Sequence, residues 1–398
     1  MGFLRTRALL LMALGAVAVM VVAYYGPAHR GDRTSASVSS RPNSRAAGPT
    51  APPAASPAPN WCANPAPLSP RDTVAQLLMV GVTGAADARA VVADHHVGGI
   101  FIGSWTDQAI FDGPLKSIVA TAGPLPLAVS VDEEGGRVSR LKSRIGAAPS
   151  ARELAHTMTP DQVHDLEYQR GLKMRALGIT VDFAPVVDVV SDAADDSVIG
   201  DRSFGGDPKT VLDYAGAYAQ GLRDAGVLPV LKHFPGHGHG SGDSHTGGVI
   251  TPPLAELQDN DLVPYRGLVG SGPVGVMVGH LQVPGLTEGD EPASLSPAAV
   301  GLLRTGTGYQ AQAFDGPIFS DDLSGMAAIT DHFTVAEAAL RSLQAGVDVA
   351  LWITTDDVTA VLDRLERAMA SGELDRAAVA ASVKRVTAMK RLSSGCGD

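Results

Sequence analysis

The chain has 398 residues, a net charge of −11, 18% charged residues and 45% hydrophobic ones. That balance excludes a nucleic-acid binder working through a basic surface, and a disordered chain, which combines high charge with low hydrophobicity. Two cysteines are too few for a disulfide scaffold or a cysteine-based zinc site.

Arg5 and Arg7 precede an unbroken apolar run over residues 8–26. At a rise of about 1.5 Å per residue such a run crosses a bilayer core of about 30 Å. Residues 1–26 therefore read as a signal peptide or an uncleaved signal anchor, and the rest of the chain is expected outside the cytoplasm, secreted or held at the membrane. Residues 27–60, rich in Pro, Ala, Ser and Arg, have almost nothing to bury and read as a disordered linker. The first 60 residues hold six Arg and one Asp, so residues 61–398, the expected folded domain, carry −16. An anionic substrate would then have to be met by local Arg and Lys rather than by the bulk field. Cys62 opens this region and Cys396 nearly closes it; a disulfide between them and two unrelated thiols are both open readings.

Short Val/Ile/Leu runs recur at 77–82, 97–102, 127–131, 179–183, 227–232, 274–279, 318–320 and 347–352. Continuous apolar strands are expected where helices cover both faces of a sheet. The intervening stretches 161–177 and 208–225 have helical apolar spacing and end near Gly. Eight alternations of strand and helix predict an α/β fold, a single (β/α)8 TIM-like barrel, with a doubly wound open sheet as the rival.

A barrel places its chemistry at strand C-termini. Polar residues stand at five successive strand ends, including Asp132, Asp188, Lys232-His233, His280 and Asp321-Asp322. His233, His237, His239 and His245 fall close together and raise the question of zinc. The Gly-rich loop is a poor rigid ligand platform, however, and no metal or other cofactor is expected. In Asp243-Ser244-His245 the carboxylate can accept the imidazole Nδ1–H and fix its tautomer, making His245 a candidate general acid and base. Asp321 is the candidate nucleophile facing the barrel centre, with Asp322 either capping a helix or holding the groups around the site. Asp132, Arg140, Arg202 and Lys232 are candidates to grip hydroxyls and carbonyls of a small carbohydrate.

These residues resemble glycoside hydrolase family 3, in its β-N-acetylglucosaminidase branch. The resemblance rests on five segments in order: Val131 to Leu141, Val198 to Phe204, Lys232 to Gly238, Asp243-Ser244-His245 and Phe319 to Leu323. It is looser across 238–242 and around Gly325. It implies a retaining exo-β-N-acetylglucosaminidase acting on cell-wall muropeptides through a covalent glycosyl-Asp intermediate. On that reading Asp321 is the nucleophile, His245 the acid/base and Asp243 its partner, while Asp132, Arg140, Arg202, Lys232 and His233 hold the sugar. Another family 3 exo-β-glycosidase, such as a β-glucosidase, a phosphorylase, and a non-catalytic wall-binding protein on the same barrel are the alternatives. The chain is expected to be a monomer touching the membrane only through its N-terminal segment.

Overall fold

Eight parallel strands occupy all eight segments that the apolar runs predict: Leu78–Val82 (β1), Gly99–Ile102 (β2), Ala128–Val131 (β3), Val181–Asp182 (β4), Leu228–Phe234 (β5), Gly275–Val278 (β6), Ile318–Ser320 (β7) and Ala350–Trp352 (β8). The computed structural model describes residues 67–190 and 197–393; the expected anchor, the linker and both cysteines lie outside them. Hydrogen bonding follows the order β7-β6-β5-β4-β3-β2-β1-β8. A bridge between Phe319 and Val349 joins the two ends, so the sheet is a nearly closed barrel. A doubly wound sheet would reverse its strand order at a switch point, and here the order never reverses.

The strands are buried at every position, since their inner faces fill the barrel and their outer faces meet helices. Inside, Phe183 contacts Phe101 and Phe319 at centroid separations of 5.8 and 5.4 Å. These rings plug the barrel beneath its C-terminal mouth. The two helices expected from spacing are Pro160–Leu177 and Pro208–Asp224. The first starts at a capping box formed by Thr159 and Gln162, and Gly178 ends it at φ 96°, a left-handed conformation that glycine adopts without steric penalty. At the second, the Asp207 carboxylate accepts from the N–H groups of Lys209 and Thr210. Among the described residues, no helix is long and apolar enough to cross a membrane.

The seam between β7 and β8 has its own fastening. Asp348, fully buried, accepts from the Ile318 N–H at 2.8 Å and from Arg385 at 3.2 Å, and it also pairs with Arg304. One carboxylate thus ties the last two strands and two helices together where the barrel closes. Removing one partner of a buried ion pair leaves the others uncompensated, at a cost of about 3–5 kcal/mol. Asp348→Ala is accordingly expected to destabilise the domain by about that much in urea unfolding, whereas Asp363→Ala at the exposed pair with Arg71 should cost about 1 kcal/mol or less.

Candidate active site

The barrel mouth holds a cavity of about 320 Å³, lined by Asp132, Arg140, Arg202, Lys232, His233, His245 and Asp321 among others. Seven of the eight residues singled out in the sequence therefore converge on one space, at the small end of the roughly 300–1,000 Å³ typical of ligand sites. The eighth, Asp243, stands behind His245. A larger hollow of about 650 Å³ beside Pro70, Glu366 and Arg376 contains none of these groups.

The side wall is built from charge pairs. Lys232, from the end of β5, donates to Asp132 at 2.7 Å and lies 2.6 Å from Glu134. Arg202 meets Glu134 with two bonds, Nε to Oε2 at 2.7 Å and Nη2 to Oε1 at 2.8 Å. Burial alone would raise the Glu134 carboxyl, but Arg202 and Lys232 outweigh it and hold the group far below the carboxylate range. Burial would likewise lower Lys232, and Asp132 and Glu134 reverse that. Both cations are thus locally neutralised. Arg140 differs: its buried Nε has no hydrogen-bond partner among the described residues.

The backbone explains which of three adjacent acids serves this wall. The segment Glu133–Gly135 pairs antiparallel with Val138–Ser139. Glu133 turns away from the cavity, where its carboxylate takes Arg170 at 2.6 Å, the Ser139 hydroxyl at 2.5 Å and the Leu141 N–H at 2.7 Å. That anchor fixes the hairpin which presents Glu134 and Arg140. The segment carrying Arg202 is held by Arg152, whose guanidinium donates to the carbonyls of Ser203, Val190 and Gly200.

Strict alternation would let only one of Lys232 and His233 face inward. Both line the cavity because the pairing of β5 with β6 slips between Leu231 and Phe234. His233 Nδ1 lies 2.7 Å from Asp188, which also accepts the His237 N–H at 2.7 Å. Asp188, fully buried, is a positioning residue; its sequence signal was its place at the end of a strand. The remaining loop imidazoles each have a carboxylate of their own, His239 with Asp261 and His245 with Asp243. Burial lowers His237, while the bond to Asp261 raises His239. Among the described residues no three such side chains converge as a metal-binding group.

Asp321 follows β7, and its carboxylate accepts the Asp322 N–H at 2.9 Å. Burial would push this carboxyl up, but His233, His280, the Asp322 N–H and Lys232 prevail and hold it below its ordinary value. It is a charged carboxylate at the cavity wall, only 9% exposed. One expectation about its neighbour needs correction. Asp322 also lines the cavity, since regular alternation stops with the strand at Ser320. Of its two expected roles it takes the second: Oδ1 accepts from the N–H and hydroxyl of Ser324, closing a turn, while the helix begins only at Ala327. Gly325 is required there, because a Cβ would stand 2.4 Å from Asp322 Oδ2.

His245 stands at the rim, its side chain 60% exposed. Asp243 Oδ1 lies 2.8 Å from its Nδ1 and accepts its backbone N–H at 2.9 Å. The imidazole is thereby oriented with Nε2 left for chemistry. The loop reaches across the mouth, where Ala328 N–H, beyond β7, donates to the Ser244 carbonyl at 3.2 Å.

A profile for the glycosyl hydrolase family 3 N terminal domain matches residues 70–389. The chain belongs to glycosyl hydrolase family 3. It is a glycoside hydrolase. The Mycobacterium tuberculosis (strain ATCC 25618 / H37Rv) protein Beta-hexosaminidase LpqI is 66% identical over 402 residues, spanning 100% of both chains. The solved structure of M. tuberculosis LpqI superposes with a TM-score of 0.81 at 72% identity, covering 84% of this chain and 97% of that one. A family 3 β-N-acetylglucosaminidase from Paenibacillus sp. str. FPU-7 superposes at 0.76 with 32% identity, over 82% of this chain and 63% of that one.

The family's barrel makes Glu134 the residue on which the side wall depends. Glu134→Gln removes the charge that both Arg202 and Lys232 lean on. A displacement of about 1 Å in a binding group costs on the order of 10²-fold, so kcat/KM should fall by about that factor, mainly through KM. Steady-state kinetics with the folded variant checks this; unchanged KM would show that Glu134 does not place the two cations.

Proposed function

We propose that this β-hexosaminidase is a retaining exo-β-N-acetylglucosaminidase that removes terminal non-reducing GlcNAc from cell-wall muropeptides. The observation that carries the reading is one small cavity bearing a carboxylate held charged, Asp321, opposite a carboxylate-oriented imidazole, His245. Room for about one sugar favours exo action. The balanced pairs Asp132–Lys232 and Glu134–Arg202 suit the hydroxyls of a neutral terminal sugar.

In the first step Asp321 attacks the anomeric carbon as His245 delivers its proton to the departing oxygen, leaving a glycosyl ester on Asp321. In the second, His245 takes a proton from water, the water oxygen bonds to the anomeric carbon, and the ester bond breaks. Retention follows from two inversions. His233, held by Asp188, and Arg140, on the cavity wall, complete the grip on the sugar. We further propose that residues 1–60 carry the enzyme across the cytoplasmic membrane and hold it there or release it.

Asp321→Ala should abolish turnover of a chromogenic β-GlcNAc glycoside; wild-type rates would remove it as nucleophile. His245→Ala should lose about 10²–10⁴-fold on poor leaving groups and far less on activated ones. A uniform loss across leaving groups would count against proton donation. The pH profile has a definite sign. Because Asp321 is held below its ordinary value, the acid limb of kcat/KM should lie below the usual carboxylate range near pH 4.

A further inference from the structure

A second cavity, about 350 Å³, adjoins the sugar cavity and shares Trp105 and Ile353 with it. Its other walls come from Thr83 and Asp87 after β1 and from Thr354 and Asp356 after β8. We propose that this cavity is the leaving-group subsite, taking a neutral hydroxylated ring stacked on Trp105 and rejecting a carboxylate. The proposal rests on the exo-glycosidase reading above and adds where the second sugar goes.

Position around the barrel decides the side. The sugar grip comes from the ends of β3 to β5, and Asp321 follows β7. A terminal sugar held at its non-reducing end by that grip, with its anomeric carbon at Asp321, points its cleaved bond away from the grip. The β8, β1 and β2 loops form that opposite rim, and the second cavity lies there. The loop carrying His245 crosses from β5 to the segment beyond β7, where the Ala328 N–H donates to the Ser244 carbonyl.

The walls are preorganised. Asp87 accepts the Thr83 N–H at 2.8 Å, the Thr83 hydroxyl at 3.1 Å and the Thr355 hydroxyl at 2.6 Å, so one carboxylate ties the β1 and β8 loops together. Trp105 is 43% exposed, although its ring is steadied by Phe101 at a centroid distance of 5.9 Å. An exposed indole at the edge of a sugar site offers an apolar, electron-rich face to the C–H face of a pyranose. Charge sets the selectivity. Asp87 and Asp356 line this cavity, and no Lys, Arg or His among the described residues does. A carboxylate placed here meets the like charges of Asp87 and Asp356 with no cation among the described lining residues to offset them. The lactyl group of a muramyl leaving sugar must therefore point to solvent.

The test compares three β-GlcNAc substrates: the fluoride, whose leaving group cannot reach the cavity, N,N′-diacetylchitobiose, and GlcNAc-β-1,4-MurNAc. Asp356→Lys, an exposed change outside the sugar cavity, should leave the fluoride unchanged and raise the MurNAc-to-chitobiose ratio of kcat/KM several-fold. Trp105→Ala should reduce chitobiose by about tenfold, as expected for a lost stacking contact, and by clearly more than it reduces the fluoride. Equal changes for fluoride and disaccharides in both variants would overturn the subsite. Wild-type enzyme inactive on the fluoride as well as the disaccharides would instead overturn the glycosidase reading itself.

Discussion

Everything at the mouth of this barrel leans on one buried carboxylate, Glu134, wedged between Arg202 and Lys232. An unpaired Arg or Lys at that depth would carry a heavy desolvation penalty. Paired, the two cations become rigid hydrogen-bond donors on the sugar side of the cavity, and Asp132 becomes an acceptor steadied by Lys232. Glu133, directly before Glu134 in the chain, does the complementary work outside the cavity by anchoring the hairpin to Arg170. Two adjacent acids thus hold the inside and the outside of the same turn.

The opposite side of the cavity follows a different electrostatic rule. Asp321 is kept charged by the imidazoles of His233 and His280 and by Lys232, although burial alone would favour the neutral form. Its neighbour Asp322 goes the other way, raised by burial despite the bonds from Ser324. Adjacent carboxyl groups thus differ in their affinity for protons, the first held as a charged carboxylate and the second an acceptor that closes a turn. His245 stands at the exposed rim. On the proposed mechanism, the groups that grip, attack and transfer protons are carried on separate strand ends of one barrel.

Much of this was legible in residue order. The eight apolar runs are β1 to β8, since strands covered on both faces must be continuously apolar, and that leaves a signal independent of distant contacts. The convergence of the candidate residues on one cavity was legible for a related reason: a barrel gathers the groups at its strand ends, so polar residues directly after Val131, Leu231 and Ser320 meet at its mouth. What failed was local direction. Alternation suggested that one of Asp321 and Asp322 faced inward, and both reach the cavity, as do Lys232 and His233. The causes are a strand that ends at Ser320 and a register slip between Leu231 and Phe234. The role of Glu134 was hidden within three consecutive acids, because nothing local distinguishes the one that meets Arg202 from the one that meets Arg170.

The composition that opened the reading, acidic, Gly-rich and poor in cysteine, excluded basic-surface binding and left a packed enzyme domain whose charge had to be understood locally. By itself the sequence determined the barrel, through periodicity, and the set of chemical groups at its mouth, through position after each strand. Only the tertiary structure decided how those groups are charged and paired. Arg202 and Lys232 are neutralised in the fold, while Arg140 keeps an unpartnered nitrogen. The reason is distance: Glu134 lies far from Arg202 and Lys232 along the chain, and only the parallel pairing of β3, β4 and β5 brings their ends within 3 Å.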